Sequence, residues 1–352
     1  MPPPAFVAPV LAVSLIASAV TLAALLARAA RRSMRTGARQ NTVQVVQALR
    51  GALAGKVSPN ALRHAARDAE SEHFWNAMEA ITATLRRRER LALAVSLERN
   101  RHVVSERRAL AGDDSATRRE RAARRLSLLP TPRLRRLLRR ALVAGPEPVR
   151  MATGRALAVL RDLAALEWLC AHPEAIASRP LPALSGLLRA FGPRARARLI
   201  GALDRGVAVP RVECAILDAL GVSRCRSARE RIEARLRSEA VDVRVGSARA
   251  LGRLGMGEAI PALMLALADP AWPVRAQSAQ ALGRLRATPA VDAVAERVSD
   301  AAWWVRHHAA YALAAMGPEG RDALCELVVR SPDPYAREMA REALSQSEIR
   351  SA

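Results

Sequence analysis

Apolar residues recur at a fixed interval through the second half of the chain. Leu251, Leu282, Leu313 and Leu344 stand 31 residues apart, and each follows an alanine: Ala250, Ala281, Ala312 and Ala343. Seven residues before each leucine is an arginine: Arg244, Arg275, Arg306 and Arg337. Leu220, Phe191, Leu157 and Leu126 extend the series towards the N-terminus, with Glu213 in the arginine's place in one unit. Within the clearest unit, Val274, Ala281, Leu282 and Leu285 share one helical face. The pattern predicts a first helix from Ala271 to Leu285, a turn at Thr288-Pro289, and a second helix carrying Val291, Val294 and Val298. Asp269-Pro270 opens this unit and Asp300 the next. One helix pair cannot bury its apolar face alone, whereas stacked pairs share a core. The expected fold is all-α, with about eight units over residues 115–345 and a short tail at 346–352.

The segment Asp269-Pro270-x-x-x-Val274-Arg275-x-x-x-Ala279-x-x-Leu282-Gly283-x-Leu285 resembles the bacterial HEAT-like repeat first associated with phycobilisome lyases. Leu251-Gly252-Arg253-Leu254-Gly255 and Leu313-Ala314-Ala315-Met316-Gly317 repeat the end of the motif. The resemblance implies a right-handed α-solenoid of HEAT-like helix pairs. It implies little about chemistry, because such repeats serve mostly as interaction surfaces.

The N-terminal pattern is different. After a tail at 1–4, residues 5–27 carry no charge and are almost wholly apolar. A helix of that length crosses a hydrocarbon core of roughly 30 Å. Arg28, Arg31, Arg32, Arg35 and Arg39 follow it. Positive charge on that flank predicts one span in a cell inner membrane, with the N-terminus outside and the rest cytoplasmic. A cleaved signal peptide ending near Ala27-Arg28-Ala29 is the competing reading, but it wants its basic residues before the apolar run. Residues 28–114 read as a basic helical neck. Val43, Val46, Leu49 and Leu53 keep helical spacing, Gly55 to Pro59 interrupts, and one longer helix is expected from Glu72 to Arg108 on Phe74, Met78, Ile81 and Leu85.

Composition narrows the core and the partners. With 51% hydrophobic but only 3% aromatic residues, the core must be built from Ala, Leu and Val. The net charge is +23, yet Lys56 is the only lysine, a bias expected of GC-rich coding. Arg86 to Arg140 holds 18 arginines against six acids, and is a candidate contact for anionic lipid or an acidic partner. Nucleic acid fits poorly, since no aromatic residues interleave with these arginines to stack bases. Cys170, Cys214, Cys225 and Cys325 show neither CxxC spacing nor a zinc pattern, and are expected to be free thiols.

Two sets of repeated residues call for an assignment. Asp269 with Arg275, and Asp300 with Arg306, recur in register, as do Arg244 and Arg337. Stacking would set the arginine of one unit near the aspartate of its neighbour, as fold-holding ion pairs. Trp272, Trp303, Trp304 and Tyr335 fall at successive helix entries and are the candidate protein-binding edge, because binding surfaces favour Trp, Tyr and Arg. His307 and His308 point about 100° apart on a helix and cannot form an i, i+4 metal pair. Gly252, Gly255 and Gly257 are expected in the turn between the paired helices. No nucleophile elbow, phosphate loop or paired-carboxylate motif is present, so no catalytic, cofactor or metal residue is assigned. The expectation is a membrane-anchored scaffold for a protein partner. The alternatives are an enzyme or accessory of the HEAT-repeat lyase or hydroxylase type, or a basic nucleic-acid binder.

Overall fold

The computed structural model describes residues 70–351, with side chains as far as 346, and six positions between 43 and 51. The apolar run 5–27 and its arginine flank lie outside the described residues. Among the described residues no helix is long and apolar enough to cross a membrane, and there is no strand. The chain divides into two compact units at Leu137 and Leu138.

In the first unit the helix expected from Glu72 to Arg108 is three helices: α1 (Ser71–Thr82), α2 (Arg87–Leu97) and α3 (Arg101–Gly112). Local hydrogen bonds end and restart the helix. The hydroxyls of Thr82 and Thr84 donate back to the carbonyls of Met78 and Ile81, at 2.7 and 2.9 Å. Such back-bonding competes with the helix ladder. The Glu89 carboxylate then accepts from the Arg86 N–H at 2.7 Å, and the Asn100 side chain accepts from the His102 N–H at 2.9 Å. Both satisfy donors that a new helix start leaves free. Leu85 consequently falls in a linker, while Phe74, Met78 and Ile81 are fully buried as the stripe requires. Helix α4 (Ala116–Leu126) follows, capped by Ser115, and packs on α3.

Helix α5 (Pro132–Ala144) carries the boundary between the units. In the second unit the first helices of successive pairs are α6 (Glu147–Val159), α8 (Leu181–Ala190), α10 (Pro210–Val222), α12 (Val241–Leu254), α14 (Trp272–Leu285), α16 (Trp303–Ala315) and α18 (Pro334–Ser351). Between them lie α7 (Leu163–Ala171), α9 (Arg196–Arg205), α11 (Arg229–Ala234), α13 (Ile260–Ala266), α15 (Val291–Glu296) and α17 (Pro318–Arg330). Each first helix packs on the next first helix along the series. The marker residues Leu157, Phe191, Leu220, Leu251, Leu282 and Leu313 are all fully buried. A fully buried leucine contributes about 1.5–3 kcal/mol relative to an exposed one.

Two devices set the spacing of the stack. A left-handed residue follows the first helix of six consecutive pairs: Arg161, Gly192, Arg224, Gly255, Arg286 and Gly317. Arginine in this conformation costs on the order of 1–2 kcal/mol that glycine avoids. The second device corrects the expectation for Gly252, which is not in a turn but inside α12. A Cβ there would meet the Cα of Ala281 at 2.9 Å, and one at Gly283 would meet the Cα of Ala312 at 2.7 Å. The glycines let neighbouring backbones touch. Of the three expected turn glycines, Gly255 and Gly257 are the two that lie between paired helices.

Candidate functional site

The repeated arginines and aspartates form rungs between adjacent pairs. Arg244 grips Asp269 with two parallel bonds of 2.8 and 3.0 Å, and Arg275 grips Asp300 at 2.8 and 2.8 Å. Each guanidinium also bonds main-chain carbonyls of its own entry loop: Ser238 and Glu239 for Arg244, Asp269 and Pro270 for Arg275. This forked geometry is the strong form of the ion pair. Burial works against ionisation of Asp300, but Arg275 and the Ala302 N–H outweigh it and hold the carboxyl below its ordinary range. One unit earlier the charges are reversed, and Glu213 accepts from Arg235 at 2.6 Å.

The last rung is different. Arg306 bonds the carbonyls of Asp300 and Ala301 at 2.9 and 3.1 Å, as its predecessors bond theirs. The residue in register with Asp269 and Asp300, however, is Ser331. Among the described residues the buried Nε of Arg306 has no hydrogen-bond partner, and its guanidinium lies 5.5 Å from the Tyr335 ring centroid. Among the described residues Arg337 likewise bonds only carbonyls, those of Ser331 and Pro332.

The four aromatic candidates lie in the first turns of three successive first helices: Trp272 on α14, Trp303 and Trp304 on α16, and Tyr335 on α18. They are 45%, 47%, 51% and 64% exposed. On α16 they continue into a ring cluster. Trp303 stacks on His307 with centroids 5.0 Å apart and an interplanar angle of 15°, and His307 lies 4.4 Å from Tyr311. Trp304 stacks on His308 at 6.2 Å, and the two indoles meet edge to face at 4.7 Å. The Tyr311 hydroxyl donates to Glu342 of α18 at 3.1 Å. Burial, then the neighbouring His307 and Arg284, push the His308 pKa down. The histidines are stacking partners of these rings, a role the metal-ligand spacing rule does not address. The i, i+4 spacing of 303, 307 and 311 was the signal for their role as stacking partners.

Among the described residues no group of three or more His, Cys, Asp or Glu is placed to hold a metal. All four cysteines are free. Burial raises the Cys170 thiol to about 12 and Cys214 to about 11, and Cys325 is exposed. The arrangement therefore offers exposed rings at three successive helix entries, with the Arg306 guanidinium against one of them.

Comparison with known proteins agrees with the fold. Residues 198–283 and 260–345 match the family model for HEAT repeats. No curated protein matches the chain in sequence. Among solved structures, Kap121p is similar with a TM-score of 0.51 at 12% identity, over 87% of this chain and 41% of that one. The chain thus spans about two fifths of Kap121p, and at that identity the likeness is one of fold alone. Human deoxyhypusine hydroxylase aligns at 18% identity over 89% of this chain and 98% of its own, with a TM-score of 0.31. That score carries no argument about fold or chemistry. Over residues 198–283 and 260–345 the chain carries HEAT repeats, and its described residues form an all-helical fold of stacked pairs.

Proposed function

We propose that the chain is a membrane-anchored HEAT-repeat scaffold that binds a protein partner at the cytoplasmic face, beside envelope machinery. The observation that carries this reading is the row of Trp272, Trp303, Trp304 and Tyr335, each about half exposed in a protein with so few aromatic residues. Large rings left half in water on a rigid support are the residues that dominate protein–protein contacts. The anchor rests on the uncharged run 5–27 and the arginines after it. The basic stretch Arg86 to Arg140 would lie near anionic headgroups if the anchor holds the neck at the bilayer. In this reading the array performs no chemistry of its own. It presents a surface.

The test is recovery of the partner from membranes by the full chain and by the double variant Trp303→Ala/Trp304→Ala. The expected result is a loss of at least tenfold. Unchanged recovery removes the aromatic edge from the account. A reporter fused after Ala352 that works only outside the cytoplasm would sink the orientation.

A further inference from the structure

We infer that Arg306, left without its carboxylate, is a binding site for an Asp or Glu side chain of the partner polypeptide, set within the aromatic edge. This deepens the proposed function and rests on it.

Three arginines stand at equivalent positions of successive pairs. Arg244 and Arg275 use Nε and one terminal nitrogen to hold the aspartate of the next pair. Arg306 is fixed by the same two carbonyl bonds to its own entry loop. The sequence then supplies Ser331 where the carboxylate should stand, and the Nε is buried with no partner among the described residues. A buried donor without an acceptor is costly, and a charged one more so. A carboxylate from another chain at the accessible part of the guanidinium would supply the charge that Asp269 and Asp300 supply to the two preceding rungs.

The surroundings favour an acidic polypeptide. Tyr335 lies against Arg306, and Trp303 and Trp304 stand half exposed on the same helix. A guanidinium set against an exposed ring fits an acidic residue flanked by apolar ones. Arg150 also leaves its Nε unpaired, but neither α6 nor α8 carries an aromatic residue, which makes it a useful control.

The experiment uses the full chain in its own membranes, with Trp272 replaced by a photo-crosslinking phenylalanine derivative. A polypeptide adduct is expected, with Asp or Glu in the crosslinked peptide. Ser331→Asp should complete the third rung internally, raise the melting temperature and lower adduct yield at least tenfold. Ser331→Asn and Arg150→Gln should leave the yield unchanged, and Arg306→Gln should lower it as Ser331→Asp does. An adduct that survives both Arg306→Gln and Ser331→Asp overturns the carboxylate site but leaves the edge standing. An adduct to nucleic acid or lipid overturns it as well. Absence of any adduct in the otherwise unaltered chain sinks the edge itself, and the carboxylate site with it.

Discussion

Both compact units bury an arginine–carboxylate cluster, but they build it differently. In the first unit Glu106 is 1% exposed and takes bonds from Arg125 at 2.8 Å and Arg118 at 3.5 Å. Arg125 also reaches Glu72 at 2.6 Å and lies over the Trp75 ring. These groups come from α1, α3 and α4, and nothing in the sequence repeats them. In the second unit each pair joins two neighbouring elements, and the same two residue types return 31 positions later. A clamp that draws on several helices concentrates its effect in one buried acid. A ladder spreads it over equivalent rungs, so one rung can be lost, as at Ser331, while the fold stays intact.

That contrast sets the order of expected effects. Glu106→Ala removes the acid from a buried cluster and strands Arg125, which should cost about 3–5 kcal/mol. Amide hydrogen exchange over residues 71–126 should quicken accordingly, and an effect below about 1 kcal/mol would show that the clamp is dispensable. Asp300→Asn leaves the Arg275 fork facing a neutral group and should cost about 1.5–3 kcal/mol, read by exchange over residues 272–315. A cost equal to that of Glu106→Ala would erase the distinction between clamp and ladder.

Gly283→Ala tests the spacing of the ladder's backbones. The new methyl would press on the Ala312 Cα, and overpacking of this kind costs about 1–3 kcal/mol. Gly246→Ala is the control, since the nearest neighbours of its methyl are Cys214 Sγ and a Leu217 methyl at 3.5 Å and Cys214 Cα at 3.8 Å, ordinary contact distances. It should stabilise by about 0.4–1 kcal/mol. A smaller effect follows from pH. The Asp300 carboxyl is held below the ordinary value of 3.8, so the folded state binds its proton less readily than the unfolded state. Its contribution is complete above that value and is lost as pH falls through the lower folded pKa. Asp300→Asn should flatten that part of the acid-unfolding curve. The smallest effect is expected for Arg330→Ala, whose pair with Glu326 is 78% and 61% exposed. A change within about 0.5 kcal/mol in thermal unfolding would confirm that exposed pairs add little.

Much of this was legible in the residues themselves. The interval of 31, the buried leucines and the helix–turn–helix unit follow from apolar spacing, because burial acts on each helix face locally. The Arg–Asp register also followed, since stacking identical units sets equivalent positions side by side. The breaks near Thr82 and Asn100 were harder to see. Phe74, Met78 and Ile81 continue smoothly towards Leu85, and the capping bonds of Glu89 and Asn100 are short-range details that a stripe of apolar residues overrides on paper.

What the sequence determined by itself is the composition and period of the array: thin Ala- and Leu-rich helices, repeated, with charges at fixed places. Only the tertiary structure decided which residues those helices press together. It placed Gly252 and Gly283 against the backbone of the next helix rather than in a turn. It joined Trp303, His307 and Tyr311 into one column. It left the Nε of Arg306 without an acceptor among the described residues. The physical reason is the same in each case. Helix formation depends on neighbours along the chain, whereas close approach, ring stacking and ion pairing depend on distances between helices, which are fixed only when the pairs are stacked.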